Sequence, residues 1–277
     1  MIGFVAIPRF AHPFDRANPE VGDEFVTVPF PASQTEQTIP VFAHWFGSWQ
    51  LSLRRLPFHS SELSEAYDRA APEWSDTIDR LGFPQAYERL LCRVLAENPA
   101  AIAGPKPRIL DCGVGTGGLS SALTHVIHKP FALDAIDISP LMLELASTNL
   151  RAAGVDATLR QGDVRALPYE DASFDLVMTA HVLEHLADPS VALDEMVRVL
   201  KPGGILIACL TRRSPLGLYI HFKWRTHQVT IEQAQTWMFQ AGLQQTRCSS
   251  FDDRSLCRQL SIACVGQKPS LLPVSSE

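Results

Sequence analysis

Asp111 closes a short apolar run, and glycines follow it at positions 113, 115, 117 and 118. Glycine takes positive φ and lets a ligand approach the backbone with no Cβ in the way, and a helix opening after such a turn offers unpaired N–H groups. Gly113, Gly115 and Gly117 therefore suit a nucleotide-like cofactor. A carboxylate at the end of the run repels a pyrophosphate and attracts a cation, so Asp111 points to a cofactor bearing an amino group or a sulfonium. Asp137 ends the next apolar run about 20 residues past the glycines, where an acidic side chain accepts hydrogen bonds from both hydroxyls of a ribose. Asp134 is an alternative by charge, but it lies earlier in that run. A third constellation, His181-Val-Leu-Glu-His185, spells an inverted zinc-protease signature. That signature needs both histidines on one face of a continuous helix and a further acidic ligand, whereas His181 ends an apolar strand-like run, so no metal is expected.

These residues need a scaffold, and from Arg108 onward strand-like and helix-like patterns alternate. Strands are expected at 109–111, 132–138, 157–161, 174–179, 204–210, 245–249 and 259–265, with helices near 118–128, 140–153, 189–200 and 230–241. Such alternation with short loops implies a mostly parallel sheet covered on both faces. About ten loop residues separate the last two strands, too few for a crossover helix, so these two should pair antiparallel. The fold class is then α/β, a Rossmann-like three-layer sandwich with a seven-stranded sheet, six strands parallel and one antiparallel. Four regions follow along the chain: a proline- and aromatic-rich extension over 1–60, a helical cap over 61–105, the core over 106–268 and a flexible tail over 269–277. Prolines break up the extension into an irregular segment with a short hairpin, whose Phe42, Trp45, Phe46 and Trp49 glue it down or line a substrate mouth. In the cap, Ser61-Glu-Leu-Ser-Glu65 supplies helix-capping residues, and a second helix runs from about Pro84 to Ala96.

The core resembles the class I S-adenosylmethionine-dependent methyltransferases, and within them the small-molecule type similar to the ubiquinone/menaquinone biosynthesis enzymes. Asp111-x-Gly113-x-Gly115-x-Gly117 resembles the family's first motif, and Asp137 stands where the family binds the ribose. Gln161-Gly-Asp163-Val164 resembles its adenine loop, and Val199-Leu-Lys-Pro-Gly-Gly204 resembles its turn into the fifth strand, with Pro202 stopping the preceding helix. The resemblance implies S-adenosylmethionine as cofactor. It places the Asp163 carboxylate and the Val164 N–H on the adenine edge, Ile138 and Met142 on the ring, and Ala180 among the cofactor-binding residues. Tyr67, in Tyr67-Asp-Arg-Ala-Ala-Pro-Glu-Trp74, resembles a residue of the N-terminal helix that closes over the cofactor. Methyl transfer needs an in-line nucleophile and exclusion of water, and a base helps an oxygen, nitrogen or carbon acid. His181 is the candidate base, with shaping the pocket as its other reading. His185, Tyr219, His221 and His227 are candidates for a substrate lid.

Two other functions compete. Gly113-x-Gly115-x-x-Gly118 also fits a dinucleotide fingerprint, and Tyr219-x-x-x-Lys223 fits the acid–base pair of short-chain dehydrogenases, which would make the chain an NAD(P)-dependent oxidoreductase. That reading leaves Asp111 and the Lys201-Pro-Gly-Gly204 turn unexplained. The alternative is a noncatalytic S-adenosylmethionine-binding module. The chain has 277 residues, 46% hydrophobic content and a formal charge of −6, which suits a globular protein with a small-molecule partner and argues against nucleic acid. No apolar run reaches the length of a membrane span, and the N-terminus lacks a basic leader, so a cytoplasmic protein is expected. A homodimer contact, if present, would use the extension. The cysteines, at 92, 112, 209, 248, 257 and 264, show no Cys-x-x-Cys spacing and read as reduced core thiols.

Overall fold

The computed structural model describes residues 4–8, 39–55, 60–215, 226, 229–251 and 256–270. The chain divides into two units, Met1–Pro57 and Phe58–Glu277. In the first, β1 (Phe4–Pro8), β2 (Ile39–Phe46) and β3 (Trp49–Arg55) form an antiparallel sheet in the order β1-β3-β2. Gly47, at φ +59, makes the turn between β2 and β3, and Pro40 sits where the ladder shifts register, as its missing N–H requires. The expected hairpin is therefore part of a three-stranded sheet. Trp45 and Trp49 are exposed on it.

The second unit opens with α1 (Ser60–Leu81) and α2 (Phe83–Glu97), separated by Gly82 in the left-handed region at φ +83. Pro84 in the first turn of α2 costs no hydrogen bond there. The sheet follows: β4 (Arg108–Cys112), α3 (Gly118–Ala122), β5 (Ala132–Asp137), α4 (Pro140–Ala152), β6 (Ala157–Gln161), β7 (Phe174–Ala180), α5 (Ser190–Val199), β8 (Leu200–Thr211), α6 (Ile231–Gln240), β9 (Gln244–Ser250), the short α7 (Cys257–Leu260) and β10 (Ser261–Gln267). Its strand order is β6-β5-β4-β7-β8-β10-β9. β10 runs antiparallel to both β8 and β9, and the other neighbours pair parallel, so six strands point one way and one the other.

Alternating residues of each strand feed two apolar layers. Ile109, Leu133, Leu176, Ile205 and Ile207 pack with Leu90, Leu91 and Val94 of α2 and with Ala146 and Leu150 of α4. Leu110, Ile136, Val177, Leu206 and Ala208 face the other way, against Leu193 and Met196 of α5 and Met238 of α6. Burial on both faces explains why these strands read as continuous apolar runs. Among the described residues no helix is long and apolar enough to cross a membrane.

Two local readings change. Helix α5 ends at Val199, three residues ahead of Pro202, and the chain is already extended at Leu200. The Lys201-Pro-Gly-Gly204 stretch is thus the irregular start of β8, tied to the end of β10 by Gly203 N–H to Lys268 O (2.9 Å) and Lys268 N–H to Gly204 O (2.9 Å). The reading of six reduced core thiols is also corrected. Cys248 and Cys264 stand opposite each other on β9 and β10, with 4.0 Å between their Cα atoms, and form a disulfide. Cys92 is exposed and Cys112, Cys209 and Cys257 are buried, and none of these four forms a disulfide. Sequence spacing does not reveal cross-strand neighbours, so pairing could not be read from it.

Candidate active site

The chain leaves β6 at one edge of the sheet and crosses back to β7, which lies on the other side of β4. The crevice beyond the carboxyl ends of β4 and β7 is therefore the point where strand order reverses, the place where open α/β sheets bind ligands. Gly113 follows β4 at φ +78 and donates to Ile136 O (2.7 Å). A Cβ there would overlap the Val182 side chain of the loop after β7, so the two loops meet at a position only glycine fits. Gly117, at φ +88, starts α3, and a Cβ on Gly115 (φ +52) would meet open space.

Two carboxylates flank this turn. Asp111 is 1% exposed; its Oδ2 accepts from Ser120 Oγ at 2.6 Å, and its Oδ1 is buried with no partner. Burial pushes its carboxyl up to about 7, the Ser120 hydrogen bond opposes this, and the charge of Asp137 adds to it. Asp137 accepts from Gly115 N–H (2.8 Å) on Oδ2 and from Ser139 N–H (2.9 Å) on Oδ1. Burial raises its carboxyl as well, against the pull of those N–H groups.

Helix α1 docks over these ends through polar contacts. Ser64 Oγ donates to Ile138 O (3.3 Å), Ser139 Oγ donates to Asp68 Oδ1 (2.5 Å), and Tyr67 Oη lies 2.8 Å from His185 Nε2. Ser139 also caps α4, accepting from Met142 N–H at 3.0 Å. Burial raises the Tyr67 hydroxyl well above its ordinary value, and the charges of Glu184 and Asp137 add to the effect. Tyr67 is thus within electrostatic reach of both sides of the crevice.

His181 follows β7 in the left-handed region at φ +59, with its N–H on Cys209 O (2.8 Å). Strand β7 ends and a short 3-10 turn, Leu183–His185, begins only after it, so His181 and His185 do not share a continuous helix. His181 Nδ1 lies 3.0 Å from Thr211 Oγ1 and 3.3 Å from Glu184 Oε1; Nε2 lies 3.5 Å from Ser261 Oγ. Phe83 of α2 meets the imidazole edge to face, with ring centroids 5.3 Å apart. Glu184 is fully buried. Its Oε1 also accepts Thr211 N–H (2.8 Å), and its Oε2 has no partner. Burial opposes its charge, yet the hydrogen bond and charge of His181 and the charge of His185 hold the carboxyl down at about 2. Glu184 stood in the sequence inside a string read only for its zinc signature, and its contacts were missed; so were those of Asp68, Ser120, Ser139 and Thr211. An acidic residue three positions after a strand-end histidine was the available signal.

Other expected site residues fall at the same end of the sheet. Ala180 ends β7, opposite Cys209, and Ile138 follows β5. Met142 is 1% exposed and Val164 7%. Asp163 is engaged by Arg165, whose Nε and Nη2 reach its two oxygens at 2.5–3.1 Å and whose hydrogen bonds lower its carboxyl. An adenine amine would share that carboxylate with the guanidinium. Tyr219, His221 and His227 lie outside the described residues.

Residues 110–208 match the family model described as "Methyltransferase domain". A curated relative named demethylmenaquinone methyltransferase, from Clavibacter sepedonicus, is 36% identical over 57% of this chain and 58% of its own length. A ubiquinone/menaquinone biosynthesis C-methyltransferase UbiE, from Shewanella piezotolerans, is 34% identical over 39% of this chain and 44% of its own. The chain thus spans about half the length of these relatives. Among solved structures, the [4+2]-cyclase SpnF superposes with a TM-score of 0.62 at 18% identity, over 78% of this chain and 98% of that one. That likeness speaks to the fold alone, since one fold hosts many reactions. Sheet order, glycine turn and sequence match thus agree on a likeness to methyltransferase domains, carried in sequence by residues 110–208.

Proposed function

We propose that the protein transfers a methyl group from S-adenosylmethionine to an oxygen, nitrogen or carbon nucleophile of a small metabolite. One observation carries most weight: a buried carboxylate with an unpartnered oxygen, Asp111, stands at the mouth of the glycine turn. A buried acceptor left unpaired costs about 1 to 3 kcal/mol, and a cationic donor relieves that cost. Asp111 and the turn of Gly113, Gly115 and Gly117 would hold the amino acid end of the cofactor. Asp137 would accept from the ribose hydroxyls; Ile138, Met142, Asp163 and Val164 would take the adenine; Tyr67 would close over it from α1. When bound, S-adenosylmethionine supplies an electrophilic methyl on a sulfonium. The protein orients the acceptor, excludes water and, through His181, takes the proton that an oxygen, nitrogen or carbon acid must lose. The two curated relatives are named for quinone biosynthesis, which makes a demethylated quinol the first acceptor to try.

Calorimetry with S-adenosylhomocysteine and with NADPH tests the cofactor. Binding of NADPH without S-adenosylhomocysteine would overturn the reading. Incubation with a methyl-labelled donor, demethylmenaquinol and small-metabolite extracts tests catalysis; a tight donor site with no labelled product would favour a noncatalytic binding module.

A further inference from the structure

We infer that Glu184 is a positioning residue: it holds the His181 imidazole with the proton on Nδ1, which leaves the Nε2 lone pair as the base that receives the acceptor's proton. The inference rests on the proposed role of His181 and adds a second residue, from a different turn, to it. Its basis is geometric. An ionised carboxylate only accepts hydrogen bonds, so a contact between Glu184 Oε1 and His181 Nδ1 forms only with Nδ1 as the donor. Thr211 Oγ1, at 3.0 Å, shares that N–H without altering the direction, because its own hydroxyl proton is free to turn away. Glu184 is in turn fixed by Thr211 N–H on the same oxygen and by complete burial. Nε2 is engaged more loosely, 3.5 Å from Ser261 Oγ, at the edge of hydrogen-bond range. The imidazole side chain is 17% exposed, whereas that of Glu184 is not exposed at all. The histidine is therefore the member of the pair that an acceptor can reach.

The groups facing the pair come from every neighbouring element. Phe83 of α2 lies against the imidazole, Thr211 ends β8, and Ser261 starts β10. Glu184 acts electrostatically on Tyr67 of α1, Tyr87 of α2 and Cys209 of β8, and His185 lies within its field. Burial raises both tyrosine hydroxyls and the Cys209 thiol well above their ordinary values, so all three stay neutral near pH 7. None of them competes with Glu184 for the role of anionic partner. His185 is turned to Tyr67 Oη rather than to the His181 ring's hydrogen-bonding nitrogens.

The test is the tautomer of His181, read from its two ring nitrogen shifts in 15N-histidine-labelled protein with no cofactor added and assigned by the signal lost in His181→Gln. The wild type should show a protonated Nδ1 and an unprotonated Nε2; the opposite pattern overturns the inference with no variant needed. Glu184→Met keeps the length of the side chain and removes the oxygen that Nδ1 and Thr211 N–H share. Nε2 protonation should then gain at the expense of Nδ1, and kcat should fall by about tenfold or more with KM for the donor within about twofold, because a wrongly protonated base loses the chemical step and leaves binding intact. An unchanged tautomer in Glu184→Met, or the same shift in Thr211→Val alone, assigns the positioning elsewhere and overturns the inference. Full turnover by His181→Gln beside a shifted tautomer in Glu184→Met would discard the base role and leave the positioning intact, so the two failures are distinguishable.

Discussion

Replacing Asp111 by Asn should make the ligand-free protein more stable at pH 8 while weakening the cofactor. In the folded chain the Asp111 carboxyl titrates near 7, against 3.8 for the ordinary side chain. Between those values the native state holds a proton that the unfolded state has lost, so stability falls as pH rises from about 4 to about 7 and is flat above. A shift of roughly three units corresponds to ~4 kcal/mol, as an order of magnitude. Asn carries no such cost and still accepts from Ser120 Oγ through its amide oxygen. Thermal melts of the two proteins should therefore coincide near pH 4 and separate as the pH is raised, with the variant the higher melting at pH 8. Binding runs in the opposite sense, since an ammonium or sulfonium is held by the ionised form. For the wild type, S-adenosylhomocysteine affinity should drop roughly tenfold from pH 8 to pH 6, the change expected for one group titrating near 7. The variant should bind more weakly at pH 8 and show no such slope. A variant that melts lower than the wild type at pH 8, or one that keeps both the affinity and the slope, would refute this account of Asp111.

Asp137→Ala should weaken S-adenosylhomocysteine by about 1 to 3 kcal/mol, because it strips Gly115 and Ser139 of their shared acceptor as well as the ribose site; calorimetry showing unchanged affinity would move the ribose elsewhere. Tyr67→Phe removes the 2.8 Å contact to His185 Nε2 and should raise the donor's dissociation rate severalfold in stopped-flow displacement, with little change in melting temperature. Gly113→Ala needs a left-handed alanine, at about 1 to 2 kcal/mol, and also forces Val182 aside. Denaturant unfolding should show a loss of ~2 to 4 kcal/mol, and a loss below ~1 would mean the loops adjust freely.

The sheet was readable because its inner strands are buried on both faces and so stand out as apolar runs. The placement of Asp111 and Asp137 at strand ends beside the glycine turn was readable because glycine spacing and strand ends mark positions along the chain. What the sequence withheld depends on meetings between distant segments. Asp68 reaches Ser139 and Tyr67 reaches His185 only once α1 lies across the carboxyl ends of the strands. Glu184 was hidden for a different reason: its partner His181 is three residues away, but the left-handed turn that brings their side chains together follows from tertiary contacts, not from the residue types. Asp163 was placed at the right end of the sheet, yet its pairing with Arg165, two residues on, was not anticipated, although a short ion pair of that kind leaves its trace in the sequence.

The close fit of Gly113 against Val182 makes the sizes of two residues, on opposite halves of a sheet that reverses its order between them, a single shared quantity. Enlarging one demands shrinking the other. The glycine loop after β4 and the loop that carries His181 and Glu184 thus cannot change in bulk independently, and any enlargement at 182 must fit the volume that a bare glycine leaves.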